Sequence, residues 1–352
     1  MASIRKLSIC VGSALLLMAS SAMAAPRTAT VRSLNTELPD ESKIIVPESF
    51  ETDVHKMMQN WYLQNYAVLD KDADRREAVT ASDRDYIDRL QRINTVIELP
   101  YNKIVRSFIN MYAERKKGLV EAMLGMSLYY MPIFEQALDK YGMPMELKYL
   151  PIIESALNPN AVSRAGATGL WQLMSATATG LGLEVNSVVD QRRDPYTSSD
   201  AAARYLRQLY RTYGDWSLTI AAYNCGPGNV NKALRRAGGG KRDFWEIYRF
   251  LPRETRDYIP AYIAATYIMN HYDKHNISPA LASKPIVTDT VHVSRRVHFE
   301  QISEVMDIPI EEIRILNPHC RQHAIPGNSK PYPPPRPNRQ AHSYIANEDL
   351  TV

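Results

Sequence analysis

Glu154 is the first residue whose type and place suggest chemistry. Leu147, Leu150, Glu154 and Leu157 recur at helical spacing, so this glutamate shares a face with leucines. Taking an ionised carboxylate out of water is costly unless its pKa rises or a partner neutralises it. A glutamate so placed is therefore either a structural partner of an arginine or a helix end, or a carboxylic acid held protonated for proton transfer. A glycine-rich run follows, Gly166-Ala167-Thr168-Gly169-Leu170-Trp171-Gln172-Leu173-Met174, with Ser163 just ahead of it. Glycines three apart let the backbone turn tightly or approach a ligand, and Trp171, Gln172 and Met174 offer a stacking ring, an amide and an adaptable apolar contact. That mix suits a sugar, and it suits equally a turn between helices around a core tryptophan. A third cluster, Ala222-Tyr223-Asn224-Cys225-Gly226-Pro227-Gly228, passes from one helical pattern to the next through a glycine-proline turn. Tyr223 and Asn224 bring polar tips to that junction, as ligand contacts or as core and capping groups.

The elements that must position these residues are mostly helical. Tyr130, Ile133, Phe134, Ala137, Leu138 and Tyr141 follow helical spacing, and Gly142 supplies a stop. Pro144 suits the first position of a helix over Met145 to Leu157, the one that carries Glu154. Thr197-Ser198-Ser199-Asp200 has the form of a capping box before a helix bearing Ala202, Tyr205, Leu206, Leu209 and Tyr213 and closed by Gly214. Helical patterns recur through Tyr267, and strand signal is slight. After Ser278-Pro279 the pattern changes. Pro285 to Val293 alternates as a strand does, two short helices are expected around Phe299 to Met306 and Ile310 to Leu316, and Asn317-Pro318 ends the second. Pro331 to Pro337 reads as an extended tail or linker.

The chain has 352 residues, 45% apolar and 23% charged, enough for a sizeable core and two domains with extensions. A formal net charge of +4 carries no sign of a nucleic-acid partner. Arg5 and Lys6, an apolar run from Leu7 to Met18 and the ending Ala22-Met23-Ala24 read as a cleaved signal peptide over residues 1–24 and an exported product. The apolar run is shorter than the ~20 residues that span a bilayer. Cys10 precedes most of that run instead of ending it, so lipidation is not expected. Cys225 and Cys320 permit a disulfide without implying one, and no metal or cofactor site is expected. Residues 25–100 are polar, charged and proline-containing and read as an extension, partly disordered.

Taken together, Glu154-Ser155, Gly169-Leu170-Trp171-Gln172 and Ala222-Tyr223-Asn224 resemble the ordered motifs of the Slt-family lytic transglycosylases, and the layout is similar to the membrane-bound murein transglycosylase D type. A further family element, a tyrosine on a late helix, falls on Tyr258. The resemblance covers roughly Tyr101 to Asn276. It implies a mainly α, goose-lysozyme-like domain over residues 101–276 whose cleft binds alternating N-acetylmuramic acid and N-acetylglucosamine. Glu154 takes the acid's position, Ser155, Ser163, Gln172, Met174, Tyr223, Asn224 and Tyr258 become substrate-binding residues, and Tyr223 lies near the carboxyl group. The unit at residues 285–333 resembles a strand-helix-helix-strand LysM module, with Ile310 to Asn317 matching its second helix and Ser294-Arg295-Arg296-Val297-His298 departing from the usual start. Residues 334–352 form a tail. The partner implied is peptidoglycan, in the periplasm and associated with the outer membrane or cell wall.

Ordinary glycoside hydrolysis needs two carboxyl groups. Between Glu154 and Asp190 the only other acid is Glu184, outside the three clusters. The family's chemistry needs one acid, because the muramic acid C6 hydroxyl attacks its own anomeric carbon and leaves a 1,6-anhydro end. The rival readings are a lysozyme-like hydrolase and a catalytically silent wall-binding protein.

Overall fold

A computed structural model describes residues 81–327, with omissions at 241, 283–287, 291–292 and 294 and only the backbone of 281–282 and 288–290. It also describes Pro47, Glu77, Val79 and the backbone of 67–68 and 335–337. The expected signal peptide, most of the 25–100 extension and most of the tail lie outside the described residues.

The molecule is mainly α, with a small strand-helix unit behind a helical domain. Two helices are apolar on most of their circumference and so form the centre. They are the long helix Lys117–Lys140 and the later helix Arg253–His271, whose Thr255 and the run from Asp257 to Ile268 are buried. Around these two, α3 (Lys117–Lys140) and α10 (Arg253–His271), pack α1 (Asp83–Arg92), α2 (Lys103–Asn110), α4 (Leu150–Ser155), α5 (Ser175–Gly180), α6 (Pro195–Tyr213), α7 (Trp216–Cys225), α8 (Pro227–Arg236) and α9 (Phe244–Ile247). The core reaches back to α1 through Tyr86 and Leu90. Gly142, at φ +62°, carries the chain out of α3 where the stop was expected.

Two boundaries differ from expectation, each for a reason of backbone chemistry. The segment expected as one helix over Met145 to Leu157 begins as a 3₁₀ turn, Met145–Tyr149, with Pro144 just outside it, and only Leu150–Ser155 is α-helical. Pro151 has no N–H to give the Leu147 carbonyl, which accepts from Leu150 instead. Ala156 and Leu157 then turn left-handed, at φ 50° and 62°. Helix α6 starts not at Thr197 but at Pro195, capped by Asp194, whose side chain accepts from the Thr197 N–H at 2.7 Å. Proline at the first helical position fixes that start. Asp200 serves elsewhere, accepting from Lys140, Tyr141 and Arg204.

The C-terminal unit follows the expected order. Strand Val297–His298 pairs antiparallel with Ala324–Ile325, and between them lie α11 (Phe299–Met306) and α12 (Ile310–Leu316), with Asn317 ending the second helix. Thr288–Thr290 pairs with Pro335–Pro337, so those prolines form an edge strand where a tail or linker was expected. The unit's own core contains Val297, Phe299, Ile302, Ile313 and Ile325, and it includes Val189 from the helical domain. Cys225 and Cys320 are free thiols. Among the described residues, no helix is long and apolar enough to cross a membrane.

Candidate active site

Glu154 stands one residue from the end of α4, at a point where the chain leaves abruptly. Consecutive left-handed residues at Ala156 and Leu157 cost on the order of 1–2 kcal/mol each, and the surrounding core holds both fully buried. The turn they make sends the chain toward the glycine-rich segment, which folds into a small antiparallel tongue through bridges Val162 to Thr168 and Thr168 to Leu173. Ser163 shapes its tip: its backbone N–H donates to the Ala167 carbonyl, and its hydroxyl accepts from the Ala167 N–H at 3.0 Å. Gly169 is required by both conformation and space. Its φ is +87°, and a Cβ there would lie 1.9 Å from the Arg192 carbonyl oxygen.

The Glu154 carboxyl is enclosed although the residue as a whole keeps some contact with solvent. Burial pushes its pKa from the ordinary 4.5 up to about 7, against the lowering effect of a hydrogen bond donated by the Tyr258 hydroxyl. Those are the two causes, and no other carboxylate among the described residues contributes. Tyr258 comes from the second turn of α10, and burial followed by the charge of Glu154 pushes its phenol well above the ordinary range, so it remains a neutral donor.

Tyr223 is half-buried on α7. Its hydroxyl donates to the Trp171 carbonyl at 2.6 Å, fastening α7 to the tongue, and burial first and Glu154 second raise its pKa. It is thus close enough to sense Glu154, but the group that touches the carboxyl is Tyr258. Asn224, exposed at the end of the same helix, accepts from the Thr255 hydroxyl at 2.9 Å, so the helix that delivers Tyr258 also orients Asn224. Gln172, at φ 45°, turns its amide back to the Gly169 and Ala161 carbonyls at 2.8 and 3.2 Å. Met174 is 45% exposed at the foot of α5.

Ser155 differs from its expected part as a substrate contact. It is 3% exposed, and its hydroxyl donates to the Leu170 carbonyl at 2.9 Å and the Pro151 carbonyl at 3.1 Å. Its position on the inward side of α4 makes it a tie between the glutamate's helix and the tongue. Trp171 is likewise core, fully buried, with its indole N–H donating to Ser199 at 2.8 Å. Glu184 sits in a loop, where it accepts from the Asn186 side chain.

Three residues escaped the sequence reading. Thr255 is one. Asp190 and Arg192 are the others: the Arg192 guanidinium holds the buried Asp190 carboxylate in two parallel hydrogen bonds of 2.8 Å and also donates to the Gly166 and Leu173 carbonyls at 3.0 and 3.2 Å. Burial pushes Asp190 up, but Arg192 and Arg321 outweigh it and hold the carboxyl below its ordinary value. An acid and an arginine two residues apart was the only signal available.

Residues 131–245 match the transglycosylase SLT domain, and residues 287–348 match the LysM-like domain of lytic transglycosylase MltD. The chain is 32% identical over 222 residues to membrane-bound lytic murein transglycosylase D of Escherichia coli (strain K12), covering 62% of this chain and 48% of that protein. It is 35% identical over 113 residues to the soluble lytic murein transglycosylase of the same strain, covering 30% of this chain and 17% of that protein. The chain thus spans about half the length, or less, of these curated relatives. Among solved structures, the 70 kDa soluble lytic transglycosylase of Escherichia coli aligns with a TM-score of 0.38 and 20% identity, over 68% of this chain and 40% of that one.

Proposed function

We propose that this chain, whose residues 131–245 match the transglycosylase SLT domain and residues 287–348 the LysM-like domain of lytic transglycosylase MltD, is a lytic transglycosylase that cleaves the β-1,4 bond between N-acetylmuramic acid and N-acetylglucosamine in peptidoglycan without consuming water. The observation that carries the reading is Glu154 itself: a carboxyl group raised to about 7 by burial, held by one phenol and shifted by no other carboxylate among the described residues. A group with that pKa is protonated in a large fraction of molecules at neutral pH, so it can give a proton and take one back.

In the proposed reaction Glu154 protonates the glycosidic oxygen as the bond to the anomeric carbon breaks. The resulting carboxylate then removes the proton from the muramic acid C6 hydroxyl, whose oxygen bonds to the anomeric carbon and closes a 1,6-anhydro ring. The substrate supplies the nucleophile, which is why a site with one acid suffices where a hydrolase needs two. Tyr258 orients the carboxyl through both steps. Ser163, Gln172 and Met174 on the tongue and Tyr223 and Asn224 on α7 line the glycan's path, while Ser155 acts by joining α4 to the tongue. Residues 101–276 with the preceding α1 form the catalytic domain, residues 285–333 with the paired strand at 335–337 form the LysM-like module, and the substrate puts the protein in the periplasm.

The test is mass spectrometry of muropeptides released from purified peptidoglycan by the full chain and by Glu154→Gln. Anhydromuropeptides from the parent, reduced by about 100-fold or more in the variant, are expected for a general acid used at both steps. Reducing-end products would mean hydrolysis, and full activity in Glu154→Gln would refute the assignment of the acid.

A further inference from the structure

The C-terminal unit reaches the site through a continuous set of polar contacts. Arg321, just beyond α12, donates through Nη2 to Asp190 Oδ2 at 2.6 Å. Asp190 is fully buried, and its carboxylate also receives Nε and Nη2 of Arg192, each at 2.8 Å. The remaining Arg192 nitrogen, Nη1, donates to the carbonyls of Gly166 and Leu173, which stand at the two ends of the tongue. Between those ends lie the Leu170 carbonyl that accepts from Ser155, beside Glu154, and the Trp171 carbonyl that accepts from Tyr223.

The backbone around Arg321 is separately secured. Its N–H donates to the Val188 carbonyl, the Asp190 N–H donates to the His319 carbonyl, and Val189 and Cys320 face one another in an antiparallel bridge. Buried His319 lies 3.4 Å from Asp194, the cap of α6. The Arg321 side chain is therefore not needed to attach the unit. What it adds is a second cation on a carboxylate that Arg192 already neutralises. That fixes Asp190, and Asp190 fixes the plane of the guanidinium that grips the tongue.

We propose that Arg321, contributed by the C-terminal module, is a positioning residue for the cleft of the helical domain: through Asp190 it orients Arg192, which clamps both ends of the 166–173 tongue beside Glu154. The kinetic half of this proposal rests on the glycan-cleaving reading above, and the structural half does not.

The experiment compares the full chain with Arg321→Ala and Arg321→Lys by amide hydrogen exchange read peptide by peptide and by kcat and KM on soluble glycan strands. Losing one partner of a half-exposed, charge-assisted hydrogen bond is expected to speed exchange in 166–173 about tenfold, while α10 exchanges as in the parent. KM is expected to rise several-fold with kcat changed less, because the tongue lines the substrate's path while Tyr258 still holds the acid. Arg321 makes one contact to Asp190, so lysine is expected to restore most of the protection. Parent-like exchange in 166–173 for Arg321→Ala, exchange that rises evenly over the whole chain, or a lysine variant as exposed as the alanine one would each overturn the proposal. If the parent itself cleaves no glycan, the catalytic reading fails, and the exchange pattern still decides whether Arg321 holds the tongue.

Discussion

Replacing Glu154 by glutamine removes the proposed acid, and the geometry also predicts that it makes the protein more stable in a pH-dependent way. Burial raises the carboxyl's pKa from 4.5 to about 7, which means the folded protein resists ionising a group that the unfolded chain ionises freely. Between those two values the folded state holds a proton that the unfolded state has released, so stability falls as pH rises. The full effect is present below the lower value and has been lost once pH passes the upper one. At about 1.4 kcal/mol for each tenfold change in proton affinity, the interval corresponds to roughly 3 kcal/mol. Glutamine has no charge to lose, keeps an oxygen that can accept from Tyr258, and occupies nearly the same volume. Urea unfolding of the two proteins across a pH series measures the difference directly. The two midpoints should nearly coincide at about pH 4 and separate progressively, with Glu154→Gln more stable by about 2–3 kcal/mol near pH 8. A gap independent of pH, or a parent that gains stability relative to the variant as pH rises, would refute the idea that the carboxyl is held protonated by burial.

Three further outcomes follow from the same site. Activity of the parent is expected to decline as pH rises through about 7, because the acid must start protonated. In Tyr258→Phe the declining limb should move to higher pH, since the hydrogen bond that opposes burial is gone; a limb at the parent's position would count against Tyr258 as the group that tunes Glu154. In Gly169→Ala the new methyl group would meet the Arg192 carbonyl oxygen at 1.9 Å on a backbone with φ +87°, so a loss of several kcal/mol is expected by thermal unfolding, and a parent-like Tm would contradict the described approach.

What the sequence disclosed about the site was mostly what lies close together along the chain. Glu154 among leucines could be read from spacing. The two helices of the C-terminal unit could be read from apolar periodicity and the Asn317-Pro318 stop, and their bounds agree with Phe299–Met306 and Ile310–Leu316. Local rules also competed with each other. A serine- and threonine-rich stretch at Thr197 to Asp200 looked like a cap, yet Asp194-Pro195 three residues earlier was the stronger start, and Pro151 broke a helix whose apolar pattern ran straight through it. Contacts made across the fold left almost no trace. Tyr258 lies 104 residues from the carboxyl it holds, and a lone tyrosine on a helix carries no mark of its partner. The same holds for Arg321, whose target is 131 residues away. Ser155 is a different case: the glutamate-serine motif made it an expected substrate contact, but neighbours on a helix point about 100° apart, and this one is buried in the core.

Val189 has a consequence for how this protein could be rearranged in evolution. The residue belongs by sequence to the helical domain and by packing to the core that surrounds Phe299 and Ile302. A recombination event that exchanged everything after the helical domain for a foreign cassette would strand an apolar side chain at the surface and leave the incoming unit with a hole in its centre. The genetic seam and the physical seam therefore do not coincide: the loop at residues 184–194 and the C-terminal unit must change together.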